Sequence, residues 1–332
     1  MADDRKPKRR VARTKLGVMD AKQVGQDLIG KVVMDRYLVE AELGAGAMGT
    51  VYCGHHVKLR RNVAIKVLHE DHVHDRTMLA RFRREAEAAA RLRHPNVSGV
   101  LDVGETPDGH QLMVMDLVEG KSLYDLMDAW LGRDRIINFV RQILAGLDHA
   151  HAAGLVHRDL KPDNVIVELD PHGQEVPRIV DFGIAALKSD EAATGSRLTE
   201  TGTLLGTPLY MAPEQARGDP VDHRADLFAL GVMLFEMLAG TTPFEGSALE
   251  VVIANMNEDL PAIAARAPHA GADPILELFM RRLAARDPAH RFASAQDALA
   301  MLDLIERDPA DAALQLGKID VARAIAVVWL PR

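Results

Sequence analysis

The chain of 332 residues contains a single cysteine, Cys53, and only 4% of its residues are aromatic. One cysteine cannot form a disulfide within the chain, so the sequence excludes a disulfide-stapled secreted domain and favours a reducing compartment. No apolar run reaches the roughly 18 residues that a membrane helix needs, and the N-terminus lacks the apolar centre of a secretory signal. We therefore expect a cytoplasmic protein without a membrane segment in the chain as given.

Charge and apolar content indicate a globular protein. Apolar residues make up 48% of the chain and charged residues 27%, which is enough apolar material for two packed cores and too much for a disordered chain. The net charge is -8, although residues 1–15 carry seven basic and two acidic groups. We expect no nucleic-acid binding by the acidic remainder, and we assign residues 1–35 to a basic flexible arm.

The pattern of apolar residues changes once along the chain. Residues 36–117 are mostly strand-like, and one helical pattern at Arg81–Leu92 interrupts them. Residues 118–306 are mainly helical and include an almost wholly apolar segment, Asp226–Ala239, which predicts a buried helix. The sequence thus predicts an α+β fold with a smaller strand-rich part and a larger helical part. Residues 307–332 form a C-terminal extension of unknown role.

A glycine-rich segment lies early in the strand-like part. Gly44, Gly46 and Gly49 fit the spacing G-x-G-x-x-G, and Val51 follows two residues after the last glycine. A turn without side chains can lie close to phosphate groups and present its N–H groups to them. Because a strand and not a helix follows the glycines, the segment does not fit a dinucleotide-binding turn.

Two charged residues fall on faces that are otherwise apolar. In the strand-like run Val63–Leu68, Lys66 shares its face with Ala64 and Leu68. Glu85 lies on the apolar stripe of the helical pattern that follows. Because a buried charge without a counter-ion is costly, we predict an ion pair between Lys66 and Glu85. The residues alone leave open the alternative in which each side chain extends to solvent by itself.

A series of short motifs follows the glycine-rich segment and the lysine strand. In chain order they are His157–Asn164 (H-R-D-x-x-x-x-N), Asp181–Gly183 (D-F-G), Gly206–Glu214 (ending in A-P-E), Asp226–Gly231 and Arg291. In this order, over residues 37 to about 306, the chain resembles the eukaryotic-type (Hanks-type) protein kinase family, most closely the bacterial serine/threonine protein kinases. The resemblance implies a bilobal protein-kinase fold, with an N-lobe at 36–117, a C-lobe at 118–306 and ATP bound between them.

The resemblance also implies which residues surround ATP. Apolar side chains enclose the adenine, the glycines cover the phosphates, a gatekeeper side chain lies beside the adenine, and the hinge backbone binds the adenine edge. The residues expected in this site are Leu43, Gly44, Gly46, Gly49, Val51, Ala64, Lys66, Met115, Asp116, Val118 and Ile166. Met115 is the expected gatekeeper, and Asp116 and Val118 form the expected hinge.

Catalytic roles follow from the same resemblance. It implies that Asp159 accepts the proton of the substrate hydroxyl and aligns that oxygen with the phosphorus. Lys161 would steady the γ-phosphate, and a lysine at this position is typical of serine/threonine kinases. Lys66, oriented by Glu85, would contact the α- and β-phosphates.

A cation and a regulatory phosphate are implied as well. Asn164 and Asp181 are expected to bind Mg²⁺, a hard cation that prefers oxygen ligands. Arg158 precedes the catalytic aspartate, and threonines are frequent in the segment after Asp181. Our hypothesis is that autophosphorylation at Thr199 or Thr201 orders this segment through Arg158.

Other motif residues are expected to support the fold. The resemblance implies that Glu214 pairs with Arg291 and that Asp226 holds the backbone of His157–Asp159. His157 would brace this loop and would not transfer protons.

The expected function is transfer of the γ-phosphate of ATP to serine or threonine hydroxyls of protein substrates. A homodimer through the N-lobe is a further option. Two rival interpretations are a pseudokinase and a small-molecule phosphotransferase. The first would lack a catalytic lysine, aspartate or asparagine, and none is missing here. The second would not need Gly206–Glu214, which in protein kinases supports a peptide substrate.

Overall fold

A computed structural model of the chain describes residues 28–46, 49–68, 76–106, 108–182 and 208–317. Strands dominate the described residues up to Asp116, and helices dominate from Leu123 onward. This arrangement confirms the predicted α+β division into a strand-rich N-lobe and a helical C-lobe. Among the described residues, no helix is both long and apolar enough to cross a membrane.

The N-lobe is built on one antiparallel sheet. Its strands are β1 (Val32–Val33), β2 (Tyr37–Gly46), β3 (Gly49–His56), β4 (Asn62–Leu68), β5 (Val100–Glu105) and β6 (Gln111–Asp116). Their spatial order is β1-β2-β3-β4-β6-β5, so only the last two strands exchange places relative to the chain. Gly46 lies opposite Gly49 in the β2–β3 register, which makes the glycine-rich segment the end of a hairpin.

Strand β4 separates two apolar clusters. Val63, Ile65 and Val67 are buried in a cluster on one face of the sheet. Ala64 and Leu68 are buried on the other face, in a cluster that continues into the C-lobe. Successive side chains of a strand point to opposite faces, so the alternation predicted for this run is confirmed.

Helix α1 (Arg76–Ala89) packs on the face of the sheet that carries Ala64. The sequence pattern predicted a helix over Arg81–Leu92, so the helix begins earlier and ends earlier than expected. After Ala89 the chain continues in a tighter turn, in which the N–H groups of Arg91 and Leu92 donate to the carbonyls of Ala88 and Ala89, and Leu92 still packs in the same apolar cluster.

The C-lobe contains a small sheet and a group of helices. In chain order its elements are β7 (Lys121–Ser122), α2 (Leu123–Leu126), α3 (Arg133–Ala152), β8 (Val165–Leu169), β9 (Glu175–Ile179), α4 (Pro213–Arg217), α5 (Arg224–Ala239), α6 (Ala248–Asn257), α7 (Ile263–Arg266), α8 (Pro274–Leu283), α9 (Ala295–Arg307) and α10 (Pro309–Gly317). Four helices begin after a residue whose side chain accepts a hydrogen bond from a first-turn N–H: Ser122, Ser247, Asp273 and Ser294. These capping residues explain where α2, α6, α8 and α9 start.

Helix α5 lies in the centre of the C-lobe. Every residue from Ala225 to Ala239 is buried, as the apolar sequence predicted. Gly231 allows α8 to approach closely, because a Cβ at this position would lie 2.7 Å from the Cβ of Ala284. Gly240 then ends the helix in the left-handed conformation, with φ of +71°, which glycine adopts at little cost.

The folded region extends beyond the boundaries that the sequence indicated. Val32–Val33 pairs with the start of β2, and Leu28 is buried, so residues 28–35 belong to the N-lobe sheet and not to the basic arm. Helix α10 packs against α8 and α9 and buries Ala312 and Leu316. Both segments are apolar but short, with a two-residue strand in one and a nine-residue helix in the other, so neither is long enough to show a clear period. Residues 1–27 and 318–332 lie outside the described residues.

A buried ion pair joins two distant parts of the C-lobe. Arg291 donates to both carboxylate oxygens of Glu214, at 2.6 and 2.7 Å, and its side chain is fully buried. The guanidinium also donates to the carbonyl oxygens of Ala285, Arg224 and Arg286. The predicted contact between Glu214 and Arg291 is therefore present, and the backbone carbonyls satisfy the rest of the arginine.

We predict that Arg291→Met lowers the free energy of unfolding by about 3–5 kcal/mol, because it leaves the Glu214 carboxylate buried without a counter-ion. Urea titration followed by circular dichroism measures this change. The matched control is Arg286→Met in the same loop, whose pair with Asp259 is half-exposed and should be worth less than about 1 kcal/mol. Equal losses in the two variants would contradict the prediction.

Candidate active site

The loop between α3 and β8 carries the expected catalytic residues. Lys161 donates from Nζ to Oδ2 of Asp159 over 2.9 Å, and Asn164 donates from Nδ2 to the backbone oxygen of Asp159 over 2.8 Å. The Asp159 side chain is 51% exposed, so its carboxylate is accessible from solvent. The loop thus presents the Asp159 carboxylate to solvent next to the Lys161 ammonium. The Asn164 side chain holds the backbone of Asp159 in place.

Asp226 at the start of α5 fixes the backbone of this loop through hydrogen bonds. Its carboxylate accepts the backbone N–H groups of His157 and Arg158, each at 2.8 Å, and the Nε2–H of His151, also at 2.8 Å. Burial alone would raise the pKa of Asp226, but the hydrogen bond and charge of His151 and the contacts with His157 outweigh burial and lower that pKa. The predicted role of Asp226 is confirmed.

Two residues of the site have left-handed backbone conformations, which are unfavourable for residues other than glycine. They are Arg158, with φ of +63°, and Asp181, with φ of +64°. At Arg158 the strained conformation is held by Asp226 on the N–H side and by Gln215, whose Nε2 donates to the Arg158 carbonyl over 2.8 Å. These contacts explain how the strained backbone persists.

His157 connects the catalytic loop to the segment that precedes Asp181. Its Nε2 donates to the carbonyl of Val180 over 2.9 Å, and its Nδ1 accepts the N–H of Asp159 at 3.3 Å. The edge of its ring also packs on Phe182, with ring centroids 4.8 Å apart. Because both ring nitrogens are engaged in positioning the backbone, His157 has the bracing role that the sequence predicted and is not a proton-transfer group.

The β8–β9 hairpin brings Asn164 and Asp181 together. Val165 pairs with Ile179, and the N–H of Val180 donates to the carbonyl of Asn164 over 2.9 Å. The Asn164 amide nitrogen donates to the backbone carbonyl of Asp159, which leaves the amide oxygen as the atom that could bind a cation. An amide oxygen beside a carboxylate is a donor set that suits Mg²⁺, so the residues present fit this ion.

Lys66 extends from β4 toward this pair. Its Nζ lies 3.2 Å from Oδ1 of Asp181, and its side chain is 10% exposed. The buried ammonium therefore has a counter-ion, as the sequence argument required, but the described partner is Asp181. The side chain of Glu85 lies outside what the structure describes, so the ion pair between Lys66 and Glu85 stays a prediction.

Apolar residues expected around the adenine occupy neighbouring strands. Ala64 on β4 lies opposite Met115 on β6, both are buried, and Val51 on β3 packs against the same cluster. Ile166 lies on β8 in the other lobe, and Leu43 on β2 is 55% exposed. The two lobes thus each contribute apolar residues, on opposite sides of the hinge.

Glycine is required for a different reason at each of two positions in the hairpin. A Cβ at Gly49 would lie 2.1 Å from the carbonyl oxygen of Val67, so the close approach of β3 to β4 requires glycine there. A Cβ at Gly44 would meet no atom within 4 Å. Open space at Gly44 agrees with an expected role in covering a ligand, whereas Gly49 is required by the sheet itself.

The hinge backbone is only partly available to a ligand. The N–H of Asp116 donates to the carbonyl of Gly99 over 2.9 Å, and the Asp116 carbonyl accepts from Ser98 Oγ at 3.2 Å. A carbonyl oxygen can accept a second hydrogen bond, so Asp116 can offer its oxygen but not its N–H. In the part of the chain that the structure describes, the backbone of Val118 makes no hydrogen bond.

Some expected regulatory residues fall outside the described part of the chain. Thr199 and Thr201 lie in the segment 183–207, which the structure does not describe, while Arg158 is placed beside Asp159. Autophosphorylation of these threonines stays a prediction.

Sequence reasoning missed three supporting residues. Gln215 secures the Arg158 carbonyl, His151 shares the Asp226 carboxylate, and Arg178 contacts the hinge residue Asp116. The sequence offered an indication for two of them. Gln215 directly follows the A-P-E motif, and Arg178 is a charged residue between the apolar residues of a short strand. Nothing in the sequence pattern indicates their partners, which are remote along the chain.

Comparison with known proteins agrees with this geometry. Residues 37–302 match the family model described as protein kinase domain. The serine/threonine-protein kinase pkn3 of Myxococcus xanthus is 39% identical over 285 residues, which cover 85% of this chain and 52% of that protein. A probable serine/threonine-protein kinase PknB of Lactococcus lactis is 38% identical over 273 residues, which cover 81% and 42%. The chain thus spans about half the length of the curated relatives it matches.

A solved structure also resembles the fold. The kinase domain of Mycobacterium tuberculosis PknI superposes with a TM-score of 0.64 and 31% sequence identity. The match covers 82% of this chain and 97% of that chain. The likeness therefore extends over both lobes and includes the candidate site.

We predict that Asp226→Asn destabilises the fold by about 3 kcal/mol, because an amide cannot accept all three hydrogen bonds that the buried carboxylate accepts. Since the pKa of Asp226 is lowered, its stabilising effect is complete above about pH 4 and is lost as the pH falls through the lowered pKa. Urea titrations of wild type and variant should therefore differ at neutral pH and converge in acid.

The matched control is Asp222→Asn, just before the same helix. Asp222 pairs with Arg224 and its side chain is 45% exposed, so its substitution should cost less than about 1 kcal/mol. A difference between wild type and Asp226→Asn that does not depend on pH would count against the role assigned to the carboxylate.

Proposed function

The chain belongs to the protein kinase domain family, and on that premise we propose that it transfers the γ-phosphate of ATP to serine or threonine hydroxyls of protein substrates. The observation that supports this proposal is that groups the reaction needs contact one another in two linked sets. Lys66 contacts Asp181, and Asp159 contacts Lys161 and Asn164. The β8–β9 hairpin links the two sets, because it joins Asn164 to the segment that precedes Asp181. A pseudokinase interpretation would need at least one of them to be absent or displaced.

In this proposal Asp159 orients the attacking hydroxyl. Its carboxylate is half-exposed, its backbone carbonyl is held by Asn164, and its N–H is held by His157, so its position is fixed while its oxygens stay accessible. In the proposed reaction it accepts the hydroxyl proton and keeps the oxygen in line with the phosphorus. Lys161, within 2.9 Å of the same carboxylate, then contacts the transferring phosphoryl group.

Lys66 and the pair Asn164 and Asp181 bind the phosphates in this proposal. The ammonium of Lys66 contacts the α- and β-phosphates, and its buried position means that little water competes for it. The oxygens of Asn164 and Asp181 would hold Mg²⁺, which when bound neutralises negative charge on the phosphates. The apolar residues Ala64 and Met115 would line the adenine site.

The choice of serine or threonine over tyrosine rests on Lys161 and on the relatives. A lysine two residues after the catalytic aspartate is typical of serine/threonine kinases, and the curated relatives are named as such. The single cysteine supports a reducing, cytoplasmic location. A homodimer through the N-lobe stays a prediction, which analytical ultracentrifugation of the purified chain would test.

The first test is transfer of labelled γ-phosphate from Mg-ATP to the chain itself and to a generic basic protein. We expect Asp159→Asn to lower the rate about 100-fold or more, because it removes the proton acceptor. Lys66→Met should abolish transfer as well, since it removes the phosphate contact. Lys58→Met and Asp134→Asn, at exposed positions outside the site, serve as matched controls and should keep wild-type rates.

Retention of transfer in Asp159→Asn would refute the assigned role. A wild type that binds ATP but phosphorylates nothing, even with candidate partners added, would favour the pseudokinase. Transfer to small molecules without transfer to any protein would favour the phosphotransferase.

We also propose that Thr199 or Thr201 is phosphorylated by the chain itself and that Arg158 binds the phosphate. A phosphate carries nearly two negative charges and pairs strongly with a guanidinium. Mass spectrometry of the active protein should find the phosphate on one of these threonines, and the Asp159→Asn protein should lack it. An unmodified chain with full activity would contradict this proposal.

A further inference from the structure

The hinge residue Asp116 lies between cations from both lobes. Arg61, immediately before β4 in the N-lobe, pairs through Nη2 with Oδ1 of Asp116. Arg178, on β9 in the C-lobe, pairs through Nη2 with Oδ2 of the same carboxylate at 3.3 Å. One carboxylate on the connection between the lobes thus binds a guanidinium on each side.

Arg178 is anchored by more than this contact. Its Nη1 lies 3.3 Å from Oε1 of Glu168 on the neighbouring strand β8, and its Nη2 donates to the carbonyl of Val97 at 3.3 Å. The side chain is 18% exposed, and its Nε is buried without a hydrogen-bond partner among the described residues. An unsatisfied buried N–H is unfavourable, so the contacts of the two terminal nitrogens have to hold the guanidinium in this place.

A backbone N–H group also fixes the position of the Asp116 carboxylate. The N–H of Gly99 donates to Oδ2 over 3.3 Å, and a Cβ at residue 99 would lie only 3.1 Å from that oxygen. A larger residue at 99 would therefore crowd the carboxylate. Together with the backbone bonds of Asp116 to Gly99 and Ser98, this fixes both the main chain and the side chain of the hinge residue.

We propose that Asp116, Arg61 and Arg178 form an interlobe clamp that sets the opening of the nucleotide cleft. Asp116 directly follows the expected gatekeeper Met115, and Arg178 lies on the strand that leads to Asp181 three residues later. The clamp therefore joins the connection between the lobes to the strand that carries the chain toward the expected cation-binding residue. Asp116 and Arg178 act as positioning residues, and the effect on ATP rests on the proposed function.

The two arginines should contribute unequally. The Arg61 side chain is 55% exposed, so water and salt screen its attraction to Asp116. The Arg178 side chain is largely buried and has fewer competing water contacts. We expect Arg178→Met to loosen the hinge more than Arg61→Met.

Hydrogen exchange of the nucleotide-free full chain tests the clamp without relying on any activity. In Arg178→Met, the amides of Gly99 and Asp116 should exchange about tenfold faster, because the carboxylate that holds them loses its C-lobe partner. The matched control is Arg135→Met, which removes an ion pair with Glu175 at the other end of β9. That control should leave exchange at Gly99 and Asp116 unchanged, and unchanged exchange in Arg178→Met would overturn the proposal.

Kinetics supply the readout that a purely structural role would not move. We expect Arg178→Met to raise KM for ATP about five- to tenfold and Arg61→Met to raise it less, each with less than about a twofold change in kcat at saturating ATP. Loss of folded protein alone would lower the apparent kcat and leave KM unchanged, and that result would overturn the proposal.

These results separate the clamp from the proposed function. Faster hinge exchange in Arg178→Met, found in a chain that binds no ATP, would support the clamp and refute the kinase activity. Normal phosphate transfer with wild-type exchange and wild-type KM in both variants would support the activity and refute the clamp.

Discussion

The buried carboxylate of Asp226 is the interaction on which the geometry of the candidate site depends. It lies on α5, the helix buried on all sides, and so transmits the rigidity of the C-lobe core to an exposed loop. Three hydrogen bonds offset the cost of burying the charge, and two of them fix the backbone of His157 and Arg158. Asp159 can therefore stay accessible to solvent without losing its position.

Three carboxylates at or near the candidate site each have a cation within reach. Asp159 is close to Lys161, Asp181 is close to Lys66, and Asp116 is close to Arg178. These pairs keep the cleft near neutrality and place positive groups where phosphates would bring negative charge. The left-handed backbone of Arg158 is held by Asp226 and Gln215, whose hydrogen bonds offset the strain.

Several features of this arrangement could be predicted from apolar patterns within a single strand or helix. The alternation along β4 placed Lys66 on the correct face, and the apolar composition of Asp226–Ala239 indicated a buried helix, because both signals depend on neighbours within a few residues. The boundary at residue 36 was set too late, since a two-residue strand, Val32–Val33, has no period to detect. The end of α1 was set too late because Leu92, beyond the helix, still packs on the apolar cluster through a tighter turn and so continues the apolar pattern.

By itself, the amino-acid sequence determined the identity, order and spacing of the motif residues, and therefore the family and the set of groups available for chemistry. Only the tertiary structure decided which of these groups meet. Asp116 and Arg178 are 62 positions apart, and Arg291 and Glu214 are 77 apart. Contacts at such separations depend on how lobes and helices pack, and no periodicity of a single strand or helix specifies that packing.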